Sequence, residues 1–148
     1  MVVALGSDHA GYRLKQYLVR TLADCGYTIV DCGTDSEESV DYPDFAMIVC
    51  RKIIAKEAEC GIIVCGTGIG VSIAANKLPG IRAALCHTEF SARMARLHND
   101  ANVLTLGGRV FGEDLALSVA RAFLDERFSG EERHRRRVDK IIDIEEGV

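Results

Sequence analysis

The pattern that most restricts the fold is an alternation of short apolar runs with segments of helical periodicity, kept up along the whole chain. Val2 to Leu5 ends at Gly6, and in the segment that follows Leu14, Tyr17, Leu18 and Leu22 recur at helical spacing until Gly26. Recurrence at i, i+3 and i+4 marks a helix with one apolar face, while Val/Ile/Leu-rich runs this short read as strands. The same reading predicts strands at Tyr27 to Val30, Gly61 to Cys65, Ile81 to Cys86 and Val103 to Leu106. Helices are predicted at Pro43 to about Ala58, Val71 to Lys77, Thr88 to about Leu97, Glu113 to Phe123 and about Glu132 to Glu145. Pro43 suits a first helical turn, and Pro79-Gly80 marks the turn into the fourth strand.

Strands that alternate with helices must pair in parallel, because each parallel pair needs a crossover and a helix supplies it. The expected fold class is therefore α/β: a three-layer sandwich with a five-stranded parallel Rossmann-like sheet and helices on both faces, as one domain over residues 1–148. Ligands of such sheets bind at the carboxyl ends of the strands. That places Ser7-Asp8-His9, Cys65-Gly66-Thr67, Cys86-His87 and Leu106-Gly107-Gly108-Arg109 along one rim.

Charge and cysteine usage exclude several functions. The net charge is −4, so no overall positive field draws a nucleic-acid backbone. No apolar run approaches the roughly 18 residues of a membrane span, and the start lacks a basic segment followed by an extended apolar core. A cytoplasmic protein with neither nucleic-acid nor membrane partners is expected. The six cysteines contain no C-x-x-C and no finger-like spacing with His9, His87, His98 or His134, so neither a metal nor a disulfide framework is expected.

The residues able to carry chemistry cluster in a few segments. Cys65-Gly66-Thr67-Gly68-Ile69-Gly70 joins a strand to a helix, where converging backbone N–H groups and a helix N-terminus stabilise an anion or a thiolate. It is G-x-G-x-G, without the acidic residue of a dinucleotide site or the Lys-Ser/Thr of a P-loop; a buried strand-end cysteine is the competing reading of Cys65. Asp8-His9 suits proton transfer or hydroxyl binding, although an Asp there also caps a helix. His98-Asn99-Asp100 closes a helix, a position that favours a structural imidazolium. Arg133 and Arg137 share a helix face at i, i+4 and suit a phosphate, with a solvated helix end as the plainer alternative. Together these groups suit cofactor-free proton abstraction beside the carbonyl of a small phosphorylated molecule.

Several segments, in the same order and at compatible spacing, resemble ribose-5-phosphate isomerase B: Gly6-Ser7-Asp8-His9-Ala10-Gly11, Asp41-Tyr42-Pro43, the Cys65 to Gly70 loop, Ile73-Ala74-Ala75-Asn76-Lys77, Gly80-Ile81-Arg82-Ala83, His98-Asn99-Asp100-Ala101-Asn102-Val103 and Gly108-Arg109-Val110. The resemblance runs from end to end and implies an aldose–ketose isomerase of the non-oxidative pentose phosphate pathway, converting ribose 5-phosphate to ribulose 5-phosphate through an enediolate. It implies Cys65 as the base between C1 and C2, with the amides of Gly66, Gly68, Ile69 and Gly70 holding the enediolate oxygen. His98 would open the furanose ring, Thr67 and Asp8 would handle hydroxyls, and Asn99 would bind substrate. His9, Arg109, Arg133 and Arg137 would receive the phosphate.

The resemblance further implies no cofactor, and a homodimer or homotetramer in which His98, Asn99 and Arg109 come from the neighbouring subunit. The helix at about 132–145 would serve phosphate binding and dimer contacts. One branch of the family carries Ser for the cysteine and a Glu just after the glycine loop; Cys65 and Val71 are similar to the cysteine branch. Isomerisation of allose or galactose 6-phosphate, or non-catalytic binding of a sugar phosphate or nucleotide, are the alternative readings.

Overall fold

A computed structural model describes residues 1–147 as a single α/β sandwich; Val148 lies outside the described residues. The strands are β1 (Val2–Ser7), β2 (Thr28–Asp31), β3 (Cys60–Cys65), β4 (Ala83–Leu85) and β5 (Val103–Gly107). The helices are α1 (Tyr12–Asp24), α2 (Tyr42–Ile54), α3 (Ile69–Ala75), α4 (Glu89–Asn99), α5 (Glu113–Leu124) and α6 (Glu132–Glu145), with one 3-10 turn at His9–Gly11. All strand pairs are parallel, in the order β2-β1-β3-β5-β4. The predicted layers and strand number therefore hold.

Burial on both faces explains the near-continuous apolar strands. Val3, Leu5, Ile62, Val64, Leu104 and Leu106 pack under α1, α4 and α5 through Leu14, Leu18, Ala92, Val119 and Phe123. The alternate side chains Ala4, Ile63, Cys65 and Val103 pack under α2 and α3 through Ala46, Val49, Val71 and Ala75. Only His134 and Val138 of α6 are buried, so this last helix is an appendage rather than part of a layer.

Several boundaries differ from the sequence reading by a few residues, three of them for a clear local reason. The second helix stops at Ile54 rather than about Ala58, because Lys56 takes a left-handed φ of 58° and ends the turn. α3 starts at Ile69, so Gly70 lies inside the helix rather than in the loop before it. The fourth strand shrinks to Ala83–Leu85, since the backbone of Arg82 bonds to Asn102 instead of joining the strand ladder.

Candidate active site

The carboxyl ends of β1, β3 and β5 are tied together by backbone. Asp8 N donates to Val64 O (3.2 Å), Gly108 N to Cys65 O (2.7 Å) and Arg109 N to Gly66 O (3.0 Å). On the far side Ser7 N donates to Gly33 O (2.6 Å) and Thr34 N to Ser7 O (2.7 Å). Strand order thus brings Asp8, His9, Cys65, Thr67 and Arg109 to one rim, as the alternation pattern predicts.

Cys65 is 4% exposed, and its Sγ accepts the N–H of Gly68 at 3.2 Å. Gly68 turns the chain into α3 with a φ of 80°, a backbone state that side chains resist. Its Cβ would also lie 2.8 Å from the backbone of Leu106. Thr67 Oγ1 accepts from Ile69 N (3.3 Å), while the N–H of Gly70, in the first turn, has no intrahelical acceptor. A sulfur that receives an amide N–H beside a helix N-terminus is placed to carry negative charge. Elsewhere, burial pushes the half-buried Cys32 and the buried Cys60 and Cys86 up, and Cys50 up to about 11.

Asp8 and His9 are held in defined roles. Asp8 Oδ1 accepts from Gly11 N (3.0 Å), which caps the 3-10 turn and uses one carboxylate oxygen. His9 Nδ1 accepts from Val40 N (3.2 Å), so a neutral ring carries its proton on Nε2 and offers it as a donor. The Arg109 guanidinium lies against Gly66, with Nη1 3.3 Å from where a Cβ would stand. Arg109 is therefore on the rim of its own chain. Its backbone bond to Gly66 seats it next to Cys65 of the same chain.

The remaining members of the set lie at the other end of the sheet. α4 leaves the rim after β4 and runs back, so that His98 and Asn99 end beside the starts of β3 and β5, where Gly61 N donates to Asn102 O (2.9 Å). From Gly61 to Cys65 the strand advances roughly 13 Å. α6 begins at the same end: the His134 ring stacks on His98 at 4.1 Å between centroids and 12° between planes. Arg133 and Arg137 project from its exposed face, Arg133 bonding Glu131 at 2.8 Å. A largely apolar groove of about 590 Å³, lined among others by Leu78, Ile81, Asn99, Ile141 and Ile144, opens here rather than at the Cys65 rim. Lys77 and Glu145 also line it, but neither a thiol nor a glycine loop does.

Two residues without a role in the sequence reading take positions in these two ends. The Tyr42 ring lies over Gly70, where an added Cβ would meet its Cζ at 2.6 Å and its hydroxyl at 2.9 Å. Its sequence signals are its place before Pro43 at a helix start and its place in the resemblance segment Asp41-Tyr42-Pro43. His134 is 4% exposed and its Nε2 has no hydrogen-bond partner. Burial, then the neighbouring His98 and Arg133, holds its imidazole below the ordinary value, with Glu131 opposing. Among the described residues no helix is long and apolar enough to cross a membrane.

A family model described as Ribose/Galactose Isomerase matches residues 3–141. The chain is 45% identical over 147 residues to a putative sugar phosphate isomerase of Bacillus subtilis, covering 99% of this chain and 98% of that protein. It is 44% identical over 144 residues to ribose-5-phosphate isomerase B of Escherichia coli, covering 97% and 96%. Among solved structures, ribose-5-phosphate isomerase B of Clostridium thermocellum superposes with a TM-score of 0.97 at 51% identity, covering 99% of each chain.

Proposed function

The chain belongs to the ribose/galactose isomerase family, and on that premise we propose that it interconverts ribose 5-phosphate and ribulose 5-phosphate in the non-oxidative pentose phosphate pathway of the cytoplasm. The observation that carries this reading is the Cys65 sulfur receiving the Gly68 amide at 3.2 Å, at the mouth of an anion-stabilising loop. The thiolate takes the proton from C2 of the open aldose and returns it to C1, while a proton passes from O2 to O1. The enediolate oxygen between these steps is met by amides of the Gly66 to Gly70 loop, which are fixed before substrate arrives. Thr67 and Asp8 take sugar hydroxyls. His9, through Nε2–H, and Arg109 face the phosphate.

His98 protonates the ring oxygen to open the furanose, Asn99 binds substrate, and Arg133 and Arg137 complete the phosphate grip. These four lie across the sheet from Cys65, so they serve the Cys65 site of a second copy of the chain. A closed dimer gives two such shared sites, and a pair of dimers makes a tetramer without altering them. No cofactor enters the scheme.

The test is the isomerase assay itself: EDTA-treated protein with ribose 5-phosphate, allose 6-phosphate and galactose 6-phosphate. Turnover of the pentose is expected to exceed that of either hexose. Turnover of a hexose phosphate alone would change the substrate and keep the chemistry, and no turnover of any would replace catalysis by binding.

A further inference from the structure

The motifs Gly80-Ile81-Arg82-Ala83 and Asp100-Ala101-Asn102-Val103 touch no substrate in this scheme, yet the fold locks one onto the other. Arg82 Nε donates to the carbonyl oxygens of Asn99 (3.2 Å) and Asp100 (2.9 Å), and its Nη2 to Asp100 Oδ2 (2.9 Å). The backbone of Arg82 is gripped in return: its N–H donates to Asn102 Oδ1 (2.9 Å), and its carbonyl accepts from Asn102 N (3.0 Å) and Val103 N (3.3 Å). Asn102 Nδ2 donates to Gly80 O (2.8 Å), and Arg96 Nη1 closes the far side on Ala101 O (2.5 Å). Asn76 covers the outer edge of β4, donating to Ala83 O (2.9 Å) and accepting from Ala83 N (2.8 Å).

This network surrounds the carboxyl end of α4, whose last carbonyls have no partners within the helix. Asp100 ends that helix with a left-handed φ of 47°, a state usually given to glycine. A glycine would end the helix equally well but would offer Arg82 no carboxylate. The side chain and the strained backbone make sense together when the end of α4 must be fixed in direction, and that end carries His98 and Asn99.

We propose that Arg82 and Asp100 form a clamp that positions His98 and Asn99, so that handling of the closed sugar depends on two residues that never touch it. The proposal rests on the reading above that His98 opens the ring. Arg82 and Asp100 are positioning residues, and their effect has a direction. Ribose 5-phosphate closes into a furanose through O4, whereas ribulose 5-phosphate has its O5 phosphorylated and stays open. With His98 misplaced, the closed sugar binds without being opened, so kcat and KM for the aldose fall together while kcat on the open ketose is spared; the ratio of kcat/KM in the two directions stays at the value that the equilibrium sets.

The experiment compares Arg82→Gln, His98→Asn and the double variant, with kcat and KM measured on both substrates. Arg82→Gln is expected to lower kcat on ribose 5-phosphate about 10- to 100-fold, as displacement of a catalytic group by about 1 Å does, with KM for that substrate falling in step and kcat on ribulose 5-phosphate changing by less than about threefold. In the His98→Asn background it should cost the aldose reaction nothing further. Equal losses of kcat on both substrates, or losses that multiply in the double variant, would overturn the clamp and leave the role of His98 standing. Full aldose activity in His98→Asn would instead remove the reading of His98, and the clamp with it. If Arg82→Gln does not fold, Asp100→Asn is measured in the same way, because Asn accepts a left-handed backbone while lacking the charge. A smaller aldose-specific loss supports the clamp, and no such loss overturns it.

Discussion

At the carboxyl ends of the strands the groups that face a ligand are placed by backbone, whereas at the opposite end His98 and Asn99 are placed by side chains. On the rim, Cys65 and Arg109 follow directly from the bonds that join β3 to β5, and the glycine loop needs only Gly68 in a left-handed turn. At the other end Arg82 reaches across the sequence to hold the end of α4, Asn102 grips the Arg82 backbone, Arg96 of α4 bonds Ala101, and His134 stacks on the helix's last histidine. A site placed by backbone survives most side-chain changes and fails at its glycines. One placed by side chains fails at residues far from the chemistry. The comparison also shows that one chain separates Cys65 from His98 by the length of the sheet.

The largest expected effect falls on the rim. Cys65→Ala should reduce kcat by about 10³-fold or more, the scale of a lost acid–base group, while the thermal midpoint moves by only a few degrees. Retained activity at that midpoint would remove the base from the account.

The glycines sharpen the comparison next. Gly68→Ala places a side chain at a φ of 80° and 2.7 Å from Leu85 Cδ1, so the backbone strain alone costs about 1–2 kcal/mol, about 2–8 °C in thermal midpoint. In Gly66→Ala the added Cβ meets only the flexible Arg109 at 3.3 Å, so a midpoint shift smaller than for Gly68→Ala is expected, with a raised KM as Arg109 moves. Equal thermal losses in the two variants would break the claim that backbone geometry sets the rim.

Alkylation separates the thiols more gently. Ribose 5-phosphate should slow iodoacetamide modification of Cys65 and leave exposed Cys25 unaffected, while buried Cys50, pushed up to about 11, reacts only on unfolding. Peptide mapping by mass spectrometry reads all three.

The smallest effect belongs to the opposite end. The imidazole of His134 is held below its ordinary value chiefly by burial and then by His98, so the unfolded chain binds the proton more readily than the folded one. That contribution to stability is complete above the unfolded value of about 6.5 and is lost as pH falls toward the lowered folded value. The thermal midpoint of the wild type should therefore fall more steeply between about pH 7.5 and about pH 5 than that of His134→Phe. Parallel slopes would mean that the proton is held elsewhere.

The sequence made the rim legible because strand ends, glycines and a cysteine stand next to one another along the chain, and local spacing reports what local backbone does. Cys65, Asp8 and His9 lie where the alternation of strands and helices puts them. Arg109 also lies where the strand ends put it, but its seat beside Gly66 was hidden, since it depends on β5 pairing with β3, a contact between distant segments. Tyr42 over Gly70 and His134 against His98 were hidden for the same reason. So was the shortening of β4, because nothing near Arg82 in the sequence announces that Asn102 captures its backbone. The resemblance motifs marked these places without saying what they do.

The division of the site between two copies is tested most directly by complementation. Cys65→Ala and His98→Asn chains, each far below wild type on ribose 5-phosphate alone, are co-expressed with different tags and the mixed assembly is isolated and assayed. Random pairing of equal amounts makes half of the dimers mixed, each with one intact site out of two, so an unsorted preparation should recover about one quarter of wild-type turnover, and purified mixed dimers about one half. A mixed assembly that remains inactive would show that Cys65 and His98 must come from the same chain, and would contradict the account.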